Sequence, residues 1–406
     1  MATELGGVGT HMVNGKPPSL NSVMLDAFRG IAALIVVAGH ARGLFFGSMV
    51  TAAFAAGPMA HMAKAMPTPL TIGHEAVMVF FVLSGYLVGG SVLRQVGTDR
   101  WSWKDYLIKR LSRLWAVLIP VLFIGLGLDV VGHGFFTHAG SLYAVPAGQD
   151  YVTSSTFSTQ MTLSTLVGNI FFLQAIRVPT AGTNMALWSL AYEFWYYMAF
   201  PFIVMFFAKN SSILNRTLSL ITVLAIFWLI RQYASYLFIF WIAGAIVAIL
   251  PDKKDFKYSR VIAFTSFCLF LGAFFYVRIF DINLHLAEFV VSSVFALLLY
   301  TIKFTKNMTS IPIFSAVTQF FSKISYTLYV SHVPLIIFIA NTINNPWSLH
   351  HMTYFLFLAF LGVLISTILW AALLNWLFES RTAKLRNLMH RIIDGRSPGL
   401  YAAHVS

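Results

Sequence analysis

Arg29 and His40 stand eleven residues apart in one apolar run, Leu25-Asp-Ala-Phe-Arg29-Gly-Ile-Ala-Ala-Leu-Ile-Val-Val-Ala-Gly-His40. Eleven steps of about 100° bring both side chains to one helix face, roughly 16 Å apart along the axis. A guanidinium and an imidazole inside a membrane-length helix are costly and mark a pathway or a catalytic centre. The bland alternative has Arg29 snorkelling to lipid phosphate or neutralised by Asp26, and His40 packing as a hydrogen-bonded core residue. The spacing suits a substrate anchored at one membrane face that reacts deep inside.

Four further segments carry polar groups on apolar helices. Gly73-His74-Glu75-Ala-Val-Met78-Val-Phe-Phe-Val-Leu-Ser84-Gly85 puts a carboxylate where it can orient His40 and raise its basicity. His74 either rings the membrane interface or faces a substrate. Arg110 and Arg113, at i and i+3, offer guanidinium forks suited to phosphate, or simply obey the positive-inside rule. In Leu187-Trp188-Ser189-Leu-Ala-Tyr192-Glu193-Phe-Trp-Tyr196, the aromatic residues Trp188, Tyr192 and Tyr196 form a stripe at i, i+4 and i+8. It serves packing or stacks on a sugar, with Ser189 and Glu193 on the adjacent stripe. Glu193 lies about two turns into its span and needs a partner. Ser322-Lys-Ile-Ser-Tyr326-Thr-Leu-Tyr329-Val-Ser-His332-Val-Pro334 places His332 nearer the basic face than His40, in a structural or donor-lining role rather than a catalytic one. Pro334 is expected to kink that helix.

The elements that must position these groups are membrane spans. Hydrophobic residues make up 58% of the 406 residues and charged residues only 10%, with mean hydropathy +0.76. A soluble core does not need so much apolar surface. The expected fold is an all-α polytopic bundle of about ten spans near 23–45, 74–93, 110–131, 186–208, 217–231, 235–250, 261–280, 286–303, 326–344 and 354–378. The fifth and sixth are short and joined by the tight stretch Arg231–Ala234. A segment at 163–176 is too short to span and reads as interfacial or re-entrant. Gly85 with Gly89, and Gly39 with Gly43, give small-xxx-small packing pairs.

Twenty-one of the 27 Lys and Arg fall in segments that this map puts on one side, which makes that side cytoplasmic and both termini cytoplasmic. Topology thus accounts for the net charge of +13 without nucleic acid. Residues 1–22 read as a loose cytoplasmic tail without a signal-peptide core, 23–380 as the transmembrane domain and 381–406 as a basic cytoplasmic tail. The long outer connection 132–185, with His133, His138 and Asp150, reads as a loop over a pocket. Cys268 is the single cysteine, so no disulfide or zinc framework exists and no metal is expected.

These segments together resemble the acyltransferase-3 family, integral-membrane O-acyltransferases of cell-envelope glycans and related acceptors. The resemblance rests on five blocks in order across residues 22–380. They are Arg-x10-His, Val-Met-Val-Phe-Phe-Val-Leu-Ser-Gly-Tyr, Arg-x-x-Arg, Leu-Trp-Ser-Leu-Ala-Tyr-Glu and Tyr-Thr-Leu-Tyr-Val-Ser-His-Val-Pro. Many members have Val-Asp-Leu-Phe-Phe where this chain has Val77-Met78-Val79-Phe80-Phe81; Glu75, three residues earlier, would take the carboxylate's place. The resemblance implies a bacterial inner-membrane enzyme whose co-substrate is cytoplasmic acetyl-coenzyme A or another acyl-coenzyme A. It implies donor contacts from Arg29, Arg110, Arg113, Tyr326, Tyr329 and His332. Trp188, Ser189, Tyr192 and His74 would meet a glycan acceptor. His40, oriented by Glu75 or Glu193, would act as general base, or would itself carry the acyl group. A transporter or flippase of a lipid-linked sugar is the rival reading, against which stands the lack of an inverted repeat.

Overall fold

Backbone groups in hydrocarbon must pair within their own segment, so long apolar runs fold as helices. The computed structural model describes residues 20–46, 73–96, 98, 101–136, 143, 161–209, 211–251, 258–280, 282–305, 312–342 and 354–395. His138, Asp150, most of the N-terminal tail and residues 396–406 lie outside them. Eleven α-helices follow in order among the described residues: α1 (Leu20–Phe46), α2 (Gly73–Gln95, with a π turn at Gly85–Gly89), α3 (Trp103–Phe135), α4 (Leu163–Ile170), α5 (Trp188–Phe207), α6 (Ile213–Ile249), α7 (Ser259–Ile279), α8 (Leu284–Ile302), α9 (Pro312–Thr342), α10 (Tyr354–Leu377) and α11 (Thr382–Asp394). The chain is an all-α, multi-pass membrane protein, and nine helical stretches among the described residues are long and apolar enough to cross a bilayer.

The 37-residue α6 accounts for the tenth expected span. Arg231 breaks it with φ 68° and ψ 176°. The rings of Phe227 and Phe238 meet at 5.2 Å, although eleven residues of continuous helix would part them by roughly 16 Å. The chain therefore folds back at Arg231, and the two short expected spans are the arms of a helical hairpin. The 163–176 segment forms α4 and a turn that bond to both α3 and α5. Trp115 Nε1 donates to the Ile170 carbonyl at 2.9 Å, and Trp195 Nε1 to that of Phe172 at 2.9 Å.

Two prolines set the bundle's polar contacts. Proline has no N–H, so the carbonyl four residues earlier loses its helical donor. Pro334 in α9 frees the Val330 carbonyl, which accepts Asn184 Nδ2 at 2.8 Å. Pro201 in α5 frees the Tyr197 carbonyl, which accepts the Tyr106 hydroxyl at 2.9 Å. Each bond ties a loop or helix to the freed carbonyl of its neighbour.

The start of α5 is held from α3 as well. Asp129 is fully buried and accepts the Thr183 N–H and hydroxyl, both at 2.8 Å. Gly182 turns there with φ +56°, and a Cβ would stand 2.1 Å from the Asp129 carboxylate, so only glycine fits. Burial, then the Asp129 charge, raises the Tyr143 hydroxyl above its ordinary range, so it remains a donor to that carboxylate.

The small-residue reading of α2 holds at Gly85 and Gly89. A Cβ on Gly85 would stand 1.8 Å from the Trp241 carbonyl of α6, and one on Gly244 of α6 would stand 1.9 Å from the Val82 carbonyl of α2. Backbones touch at this crossing, which small residues alone permit. Gly43 meets nothing within 4 Å among the described residues, so it does no such packing.

Candidate active site

Helices α1 and α9 run parallel, pinned at the end where both begin by a bond from Ser322 Oγ to Asp26 Oδ1 at 2.7 Å. Fourteen residues further along α1 and ten along α9, His40 and His332 meet with ring centroids 5.2 Å apart at 63°. The sequence reading set His332 apart from His40, nearer the basic face; the structure brings the two together. His332 is fully buried and His40 partly so. His332 Nδ1 lies 2.8 Å from the Tyr329 carbonyl and 3.1 Å from that of Leu328. A carbonyl only accepts, so Nδ1 carries the proton and Nε2 the lone pair. That Nε2 is buried with no partner among the described residues. No carboxylate hydrogen-bonds either imidazole there. Glu75 is buried at the start of α2, and Glu193 is engaged elsewhere.

Toward the end where α1, α3 and α9 begin, the charges gather. Arg29 lies within electrostatic reach of Arg113, Asp26, Glu379 and Glu193. Glu193 accepts the Tyr197 hydroxyl at 2.5 Å, and that oxygen also lies 3.1 Å from Ser84 Oγ. The Arg110 guanidinium sits 5.4 Å from the Tyr106 ring and 5.6 Å from that of Tyr197, with its Nε buried and unbonded among the described residues. Tyr326 feels Glu379, Glu193 and Arg113, and its hydroxyl donates to the Leu114 carbonyl at 3.0 Å. The sequence reading missed Glu379. It stands just past α10 and accepts Thr327 Oγ1 at 2.5 Å and Asn375 Nδ2 at 2.8 Å. A lone carboxylate closing an apolar run was the available signal. This end thus gathers Arg29, Arg110 and Arg113 with the carboxylates of Asp26, Glu193 and Glu379 and the phenols of Tyr106, Tyr197 and Tyr326.

The opposite end holds the aromatic groups. Trp188 stacks on His74 at 6.0 Å and 11°, and meets Tyr192 edge-on at 5.4 Å. His74 Nε2 bonds Glu288 Oε1 at 2.7 Å. The same buried carboxylate accepts the Tyr233 hydroxyl at 2.6 Å and bonds His285 Nδ1 at 3.2 Å. Glu288, Tyr233 and His285 also escaped the sequence reading, since they stand on α8 and α6, far along the chain from His74. A carboxylate-held imidazole therefore exists in this fold, but it is His74 with Glu288 rather than His40. Ser189 Oγ and the Tyr329 hydroxyl share a bond at 2.6 Å, which links the start of α5 to the turn of α9 below His332.

The expected residues thus fall into three connected groups along the bundle: the arginine cluster with Glu193 and Tyr326, the imidazole pair with Tyr329 and Ser189, and the stacked Trp188, Tyr192 and His74. Anion binding, proton transfer and stacking against a ring are the chemistries these groups offer in that order. A family model described as an acyltransferase domain matches residues 23–376. Comparison with curated proteins and with solved structures returns no match.

Proposed function

Because the chain belongs to the acyltransferase-3 family, we propose that it moves an acyl group, acetyl first among the candidates, from acyl-coenzyme A to a glycan hydroxyl across the bacterial inner membrane. The observation that carries this reading is the order of groups along α1. Arg29 stands in a cluster with Arg113 at one end, and His40 pairs with His332 eleven residues on. That interval of about 16 Å suits an extended pantetheine arm.

In this account the basic end faces the cytoplasm, in line with the side of most Lys and Arg. Arg29, Arg110 and Arg113 hold the donor's phosphates; the open Arg110 Nε supports a ligand there. Tyr326 and Tyr329 flank the arm. Trp188 and Tyr192 stack on a sugar ring from the opposite end, beside His74 and Ser189. His40 takes the proton of the acceptor hydroxyl as its oxygen attacks the thioester carbonyl. The tetrahedral intermediate expels the thiolate as the C–S bond breaks. The thiolate then takes the proton from the His40 imidazolium, leaving ester and free coenzyme A. Glu193 acts in this scheme on the donor side, through Tyr197 and the field around Arg29. Glu75 shapes the wall of α2.

The test is transfer of radiolabel from [14C]acetyl-coenzyme A into envelope glycan by membranes of the native host. The wild type is expected to label glycan and His40→Ala to lose labelling by a factor of about 100 or more. Unchanged labelling in His40→Ala would refute its role as base. Absence of labelling by the wild type with acetyl-, succinyl- and longer acyl donors would refute the transfer reading.

A further inference from the structure

The reading of His40 as base leaves its orientation unexplained, because no carboxylate bonds it among the described residues. An imidazole used as a base needs its second nitrogen held, or the tautomer and ring angle drift. His332 offers the missing contact. Its Nδ1–H is committed to the carbonyls of Tyr329 and Leu328, so its Nε2 can only accept. That atom is buried and has no donor among the described residues, and a buried polar atom left alone is expensive. The ring next to it is His40, 5.2 Å away centroid to centroid and tilted edge-on.

The surroundings make His332 a fixed reference. Asn184 grips the Val330 carbonyl at 2.8 Å, and Ser189 grips the Tyr329 hydroxyl at 2.6 Å, one turn below the imidazole. Phe80 packs on Tyr329 at 5.6 Å from α2. His40 is the more accessible of the two rings and so the one that a substrate can reach.

We propose that His332 is the positioning residue for His40. Its Nε2 accepts the His40 N–H, either after a small ring rotation or through one water, and so turns the other His40 nitrogen toward the acceptor hydroxyl. This rests on the proposed role of His40 as base. A neutral partner in place of a carboxylate has a chemical consequence. The imidazolium formed on proton abstraction has no fixed negative charge against it, so it surrenders the proton readily to the leaving thiolate.

The experiment pairs imidazole 15N solid-state NMR of the full chain in lipid nanodiscs with thiol release from acetyl-coenzyme A in native-host membranes, which supply the glycan acceptor. Wild type, His332→Ala and His332→Gln are compared. Wild-type His332 is expected as the Nδ1–H tautomer and His40 as a single tautomer. His332→Ala should give mixed His40 tautomers and release thiol about 100-fold more slowly, with KM for acetyl-coenzyme A unchanged. His332→Gln, whose carbonyl can still accept the His40 N–H, should recover about tenfold of that loss. Three results would each overturn the proposal: wild-type His332 protonated on Nε2, a single His40 tautomer retained in His332→Ala, or turnover and donor KM failing together with no rescue by glutamine. The wild-type spectrum decides even where the variants do not fold. Should the wild type release no thiol, the transferase reading fails while the spectrum still judges the pairing.

Discussion

Asn184 donates a 2.8 Å hydrogen bond from its side-chain amide to the backbone carbonyl of Val330. Pro334 creates the need for that bond, since it cannot donate to the carbonyl one turn back. Asn184→Ala would leave the carbonyl buried and unpaired, and is expected to destabilise the protein by about 1–3 kcal/mol. Tyr106→Phe should cost a similar amount through the Tyr197 carbonyl freed by Pro201. Melting of the purified variants in one detergent checks both. Unchanged melting in either would show that water or a neighbouring helix serves the carbonyl instead.

Alanine at Gly85 and at Gly43 should have opposite consequences. At Gly85 the new methyl collides with the Trp241 carbonyl at 1.8 Å, a backbone atom that cannot swing aside. The variant is expected to fail in folding or to melt far below the wild type. At Gly43 the methyl has open space among the described residues, and better helix propensity should leave stability unchanged or raise it by up to about 1 kcal/mol. Expression yield and melting temperature separate the two outcomes.

Glu288 collects bonds from His74, Tyr233 and His285, three groups on three helices. Tyr233→Phe removes one donor and should cost about 1 kcal/mol. Glu288→Ala deprives all three of their acceptor and should cost about 3 kcal/mol or more. Equal losses in the two variants would show that the carboxylate is no hub. Coenzyme A binding, proposed for the other end of the bundle, should persist in both.

The fold was legible because its signals are long. Apolar runs of membrane length, with basic residues between them, located the spans, and the tight stretch at Arg231 marked the hairpin. Chemistry-bearing residues on the first, third, fourth and ninth expected spans were legible from charge or imidazole within an apolar helix. The partners were not. Glu288 stands 214 residues from His74, and Asp129 stands 54 from Thr183. A single carboxylate on an apolar helix carries no periodicity that points to its mate. Register between α1 and α9, which brings His332 to His40, likewise depends on packing that no local pattern encodes.

Arg29→Lys tests whether the charge cluster recognises phosphate by shape. A lysine keeps the positive charge but loses the planar fork. Coenzyme A affinity is expected to fall about tenfold, measured by titration calorimetry, with the protein still folded. Full affinity in the lysine variant would reduce Arg29 to a point charge.

The most direct test of the central claim is the melting temperature of the purified protein with acetyl-coenzyme A, coenzyme A or neither, in wild type and in Arg110→Ala/Arg113→Ala. Donor binding at the arginine end predicts a saturable rise in wild type that weakens in the double variant, since a ligand stabilises the fold it binds. No rise with acetyl-, succinyl- or longer acyl-coenzyme A would contradict the account, and an equal rise in both proteins would move the donor away from these arginines.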